Sequence, residues 1–181
     1  MQCVHFQSMA ISSMKKRIFL ILALVTPLWG FFGPSTGPKG DPPEALDVYA
    51  AKKIRPGASW RVYLHARDAD GDMKDIASML YVPGFGFSPT TFTRLKKEDR
   101  DEFVGYLFLR TPPDNSLKGE KFELRVFIRD KRGNRSEPIK ITVTFDSVAP
   151  ETIPQKWQAA TKHRLGGIMI DIQSFSDWRR F

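Results

Sequence analysis

The chain is nearly without cysteine. Its 181 residues hold one, Cys3, and that one precedes a basic and then apolar N-terminal stretch. Beyond that stretch no disulfide, no zinc centre built on thiolates and no cysteine nucleophile can form. A lipoprotein anchor is excluded too, since no Cys follows the apolar run. Histidine is scarce: of His5, His65 and His163, the first precedes the leader, the second sits in mid-strand and the third lies in the tail. No Ser-His-Asp grouping suggests itself, and Asp75, Asp99, Asp101 and Glu102 lie in or beside loops, where acidic residues are ordinarily solvated surface. No catalytic residue is predicted. A Gly-rich phosphate loop between strand and helix is missing, and so is any helical period between about 45 and 146. The longest apolar run, Ile18 to Phe32, is short for a membrane span.

Charge is also not concentrated. The formal net charge is +8, but Lys15, Lys16 and Arg17 belong to the leader, all 20 acidic residues lie beyond it, and the other cations are interleaved with them. A nucleic-acid binder should show a basic stripe or a groove-entering motif. Neither is visible, so no nucleic-acid partner is expected.

What is present begins with a targeting signal. Met14-Lys15-Lys16-Arg17 followed by the apolar run reads as a secretory leader over 1–33, with Met14 as the true start. No A-x-A-like triplet ends it, and an uncleaved leader would be the chain's only tie to a membrane. Export without disulfides points to a bacterial periplasm or cell surface. The Gly- and Pro-rich stretch 34–44 cannot pack a core and reads as a tether.

Residues 45–147 then read as one sandwich domain. Seven runs alternate apolar and polar residues, near Leu46 to Lys53, Ser59 to Arg67, Ile76 to Val82, Thr91 to Leu95, Asp101 to Arg110, Lys121 to Arg129 and Ile139 to Phe145. Alternation buries one face of a strand and wets the other. The predicted core is Trp60, Val62, Leu64 and Ala66, matched by Phe122, Leu124, Val126 and Ile128 and by Ile139, Ile141, Val143 and Phe145. The fold class is all-β: a seven-stranded antiparallel sandwich with a short C-terminal helical extension, 148–181. Thr152-Ile153-Pro154-Gln155 predicts the start of a helix reaching about Arg164 and stopped by Gly166-Gly167, with Ile168 to Ile172 as an apolar run of strand-like composition.

Two matched turns end two of the strands, Arg67-Asp68-Ala69-Asp70-Gly71-Asp72 and Arg129-Asp130-Lys131-Arg132-Gly133-Asn134-Arg135-Ser136. With the final Pro138-Ile139-Lys140-Ile141-Thr142-Val143, they make a little over half the chain resemble an immunoglobulin-like sandwich of exported bacterial proteins, close to fibronectin type III and cadherin-like modules. The inter-sheet cysteines of true immunoglobulin domains are missing. The resemblance implies adhesion, spacing or accessory binding, and a shared fold cannot choose among them.

Three groups of residues stand out as sites. Asp68, Asp70 and Asp72, joined by Asp130 and Asn134 at the same end of the sandwich, offer oxygen ligands to calcium, the one cofactor this pattern suggests; the bland alternative is that these side chains satisfy their own turns. Phe85 and Phe87, in a Gly/Pro loop, suit either a contact surface or rings folded over the sandwich end. Tyr63, His65, Tyr106 and Phe108, with Arg61, Arg67 and Arg110, form an outward face rich in interface-type residues. Either the C-terminal segment covers it with Trp157, Ile168 and Ile170, or the tail is free to add a strand to a partner's sheet. The expected role is a non-catalytic interaction or accessory module for a protein or cell-envelope glycan. The alternatives are a calcium-stabilised structural spacer, and a glycan-processing enzyme or hydrolase-binding protein.

Overall fold

The computed structural model describes residues 40–113, 117–147 and 151–172. The leader, the proposed start at Met14 and most of the tether lie outside the described residues, as does everything after Ile172. Among the described residues no helix is long and apolar enough to cross a membrane.

Two sheets face each other. The first holds β1 (Glu44–Ala50), β3 (Trp60–Arg67), β7 (Glu102–Leu109) and β10 (Arg164–Ile168), in that order. The second runs β2 (Lys53–Ile54), β9 (Ile139–Phe145), β8 (Lys121–Asp130), β4 (Met73–Val82) and β5 (Gly86–Phe87), with β6 (Thr91–Arg94) also on β4. Of the seven expected strands, the first, second and fifth share one layer, and the third, fourth, sixth and seventh share the other. This is the strand partition of an immunoglobulin-like sandwich. The seven expected strands are all present. The first is split: β1 pairs antiparallel with β3, whereas β2 crosses over and pairs parallel with β9.

The core follows from alternation. In β8 every second residue, Phe122, Leu124, Val126 and Ile128, is fully buried. Val62, Leu64 and Ala66 face them from β3, and Trp60, Leu124 and Ile141 belong to one apolar cluster. The Trp60 indole N–H donates to the Ala51 carbonyl at 2.9 Å, so the large ring is buried without an orphaned donor. Each aliphatic or aromatic side chain so buried is worth roughly 1.5–3 kcal/mol, which is how a domain without disulfides offsets chain entropy.

The C-terminal segment departs from expectation. Between Thr152 and Arg164 no α-helix forms; Gln155–Trp157 and Ala159–Lys162 are short 3-10 turns. The Gly166-Gly167 pair does not stop a helix but lies inside β10, which pairs parallel with β7. Tertiary docking decides this. A Cβ on Gly105 of β7 would come within 2.8 Å of the His163 carbonyl oxygen, and one on Gly166 would run into the Thr93 methyl. Glycine is needed here for close approach of two backbones, a use that looks identical in sequence to helix termination. Ile168, Ile170 and Ile172 enter the main core instead of lying on an outer face. The Thr93 hydroxyl donates to the Gly167 carbonyl at 3.0 Å, tying β10 to the second sheet as well.

Candidate interaction surface

The two matched turns do meet at one end of the sandwich, and they are built alike. Asp68 accepts the amides of Asp70 and Asp72, at 3.1 and 3.3 Å. Asp130 accepts those of Arg132 and Asn134, both at 2.8 Å, and its second oxygen takes the Asn134 side-chain amide at 2.6 Å. Each first Asp is therefore spent on the second and fourth amides after it, the local chemistry that suits Asp to turns. Gly71 and Gly133 close the two loops at positive φ. Arg132 then bridges the turns, with its guanidinium 2.6 Å from Asp70 and 3.3 Å from Asp72. A guanidinium thus stands where the calcium reading expects a metal. Among the described residues no group of three His, Cys, Asp or Glu side chains is arranged to hold one. Burial raises the Asp68 carboxyl above its ordinary value, against the pull of its two amide bonds.

The outward face of the first sheet is covered in part by the chain itself. Register places Tyr49, Tyr63 and Tyr106 side by side across β1, β3 and β7. Trp157 packs over the middle of this ladder, 5.9 Å from the Tyr63 ring, and Tyr63 is buried. Tyr63 is therefore not a free contact residue, and neither is the half-buried Tyr106 beside it, which carries the Arg61 guanidinium at 5.0 Å. Lys156 clamps the segment to β1 through Asp47 at 2.7 Å. His65 pairs with Glu102 at 2.7 Å. Phe108 lies under Arg164 of β10. His163 places one ring nitrogen 3.0 Å from the buried Asp99 and the other 3.1 Å from the Val104 carbonyl.

The outward face of the second sheet has no such cover among the described residues. Along β4 and β8, Tyr81 stands opposite Glu123, Met79 opposite Arg125, Ala77 opposite Phe127 and Asp75 opposite Arg129. β5 sets Phe87 beside Tyr81, with rings 5.2 Å apart, and β6 sets Phe92 beside Ala77. Guanidinium groups lie over these rings: Arg125 over Phe87 at 4.3 Å, Arg129 over Phe92 at 4.1 Å and Arg135 over Phe127 at 5.3 Å. Such contacts are worth about 0.5–1 kcal/mol at exposed sites, enough to bias the orientation of an Arg. Asp75 grips Arg129 from the side with two bonds of 2.8 and 2.9 Å, and this pairing raises the guanidinium pKa further. Glu123 grips Arg125 with one bond of 2.7 Å.

Phe85 and Phe87 are both more than two-fifths exposed, at 41% and 44%, and Phe92 is more exposed still at 53%. The sequence reading singled out the first two and missed Tyr81, Phe92, Phe127 and the three stacked arginines. The signal lay in the alternation of β8: Glu123, Arg125, Phe127 and Arg129 are its non-core positions. Which rings would lie beneath those arginines depended on strand pairing.

No protein-family profile matches the chain, and no curated protein matches it. Among solved structures it is similar to the PKD domain of an M14-like peptidase from Thermoplasmatales archaeon SCGC AB-540-F20. That likeness covers 60% of this chain and 99% of that one, at 15% identity and a TM-score of 0.39. It is also similar to the CARDB domain of the PF1109 protein from Pyrococcus furiosus, solved in complex with di-metal ions. There the cover is 57% of this chain and 85% of that one, at 11% identity and a TM-score of 0.32. At such values the assignment to the immunoglobulin-like class rests on the strand partition itself.

Proposed function

We propose that the chain is an exported, non-catalytic accessory module that contacts a partner in the cell envelope through the outer face of its second sheet. The observation that carries this is the cluster of exposed rings on one sheet, Tyr81, Phe87 and Phe92, with Phe85 at the adjoining loop tip. Exposed aromatics backed by oriented arginines are the residue types enriched at binding surfaces. The leader and tether read from the sequence support export and reach. The described histidines support the non-catalytic reading, since both are engaged in structural pairs.

The test is site-specific photo-crosslinking of the full chain in intact envelopes. A probe at position 92 should give a discrete adduct that disappears in Tyr81→Ser/Phe87→Ser. A probe at Arg67, on the other sheet, should give none. Equal adducts from both positions, or no adduct from position 92, would overturn the proposal.

A further inference from the structure

The register of β8 creates a charge arrangement that the carboxylates of the sheet neutralise only in part. Arg125 lies directly opposite Lys140 of β9, and Arg129 is bridged to Arg135. Like charges directly opposite one another destabilise a sheet. A third cationic position, Lys121, pairs with Thr144, whose other neighbour is Lys53 of β2. The cationic positions of β8 thus recur every fourth residue. That is a spacing of about 13 Å, and a span of about 26 Å from Lys121 to Arg129.

The carboxylates nearby are already engaged. Glu123 holds Arg125, Asp75 holds Arg129 and Asp146 holds Lys53. Glu151 accepts the amides of Lys52 and Lys53. Lys121, Arg135 and Lys140 have no carboxylate partner among the described residues. Beside β9 and β1 the track opens into a groove of about 630 Å³, whose polar lining is Lys52, Lys53, Lys121 and Lys140, the hydroxyls of Thr142 and Thr144, and one carboxylate, Glu151, which is spent on the Lys52 and Lys53 amides.

We infer that this track binds an anionic polysaccharide laid along β8, its acidic groups falling on the Arg129/Arg135, Arg125/Lys140 and Lys121 positions. The inference rests on the proposed binding face and names the chemistry of its partner. Three features select a charged glycan. The cations form a line rather than a disc, which suits a polymer rather than a membrane plane. The groove offers hydroxyl partners and room for a sugar unit, which a bilayer could not enter. Each like-charge pair keeps one cation, Lys140 or Arg135, without a carboxylate among the described residues, so an added anion gains from it and a neutral polymer does not.

The experiment measures binding of the full chain to polygalacturonate by calorimetry at low and moderate salt, with neutral dextran, polyglutamate and phosphatidylglycerol vesicles as comparisons. Polygalacturonate should bind best and weaken with salt, and dextran should not bind. Arg135→Gln/Lys140→Thr should weaken binding about tenfold, the effect expected for losing two partly screened charge contacts. The same variant should keep or raise the melting temperature, since a repulsion is removed. Wild-type affinity in that variant would overturn the inference, as would equal or tighter binding of polyglutamate or vesicles. If polygalacturonate fails to bind while the position-92 adduct persists, the glycan assignment falls and the binding face stands. If both are lost, both fall.

Discussion

Tyr63 and Tyr106 on the first sheet, and Phe127 and Phe92 on the second, occupy equivalent outward positions with an arginine over or beside them. Their fates differ. Trp157, from a later segment of the same chain, packs over the first group and buries Tyr63, while among the described residues the second group is roofed by arginines. The lesson is that an outward aromatic is a candidate contact only after the chain's own termini have been placed. A sheet face that buries a tryptophan has become part of the core, and one capped by charged side chains stays open to a partner.

Substitutions can sharpen that contrast. The largest effect is common to both sheets: Val126→Asp puts a carboxylate into the shared interior and should abolish cooperative unfolding by circular dichroism, since an unpaired buried charge costs several kcal/mol. Next, Trp157→Ala should destabilise the domain by about 3 kcal/mol and expose residues 151–172 to protease. Phe92→Ala on the open face should change stability by less than about 1 kcal/mol in the same denaturant titration. Equal effects would erase the distinction between the faces. Gly105→Ala, which forces a Cβ toward the His163 carbonyl, should cost about 1–3 kcal/mol and raise hydrogen exchange in β10 before β8. At the turn end, a chelator should leave the melting temperature unchanged, whereas Arg132→Ala should lower stability by about 1 kcal/mol.

The smallest effect is in pH. A hydrogen bond from Lys156 holds the Asp47 carboxyl below its ordinary 3.8. A depressed carboxylate lends stability above the unfolded value and loses it as pH falls through the folded one. Acid below about pH 4 should therefore loosen the Trp157 segment slightly, as read by exchange in residues 155–162. Asp68 has the opposite sign. Burial raises its pKa, so its contribution weakens as pH climbs from 3.8 through the raised value.

Much of the sandwich was legible because burial on alternate residues is a local rule. Phe122 to Ile128 declare an inward face whatever they pack against. The turns were legible for the same reason, since Asp68 and Asp130 satisfy amides within four residues. Their partner Arg132 was not, because its two carboxylates arrive from a turn 60 residues away in the chain. The C-terminal segment was misread where local rules are degenerate: Gly166-Gly167 end a helix or let a strand pack closely, and only Thr93 and Gly105 decide which. Tyr63 was placed outward correctly, yet whether outward means exposed depended on Trp157.

By itself, then, the order of residues determined two facing β layers, their inward side chains, the paired turns and a cysteine-free interior, because each follows from interactions among near neighbours. Tertiary structure alone decided which outer face stayed open, which cations lay opposite one another and where the last strand docked. Those outcomes depend on strand register and on approaches between segments far apart in the chain, and no local pattern encodes them.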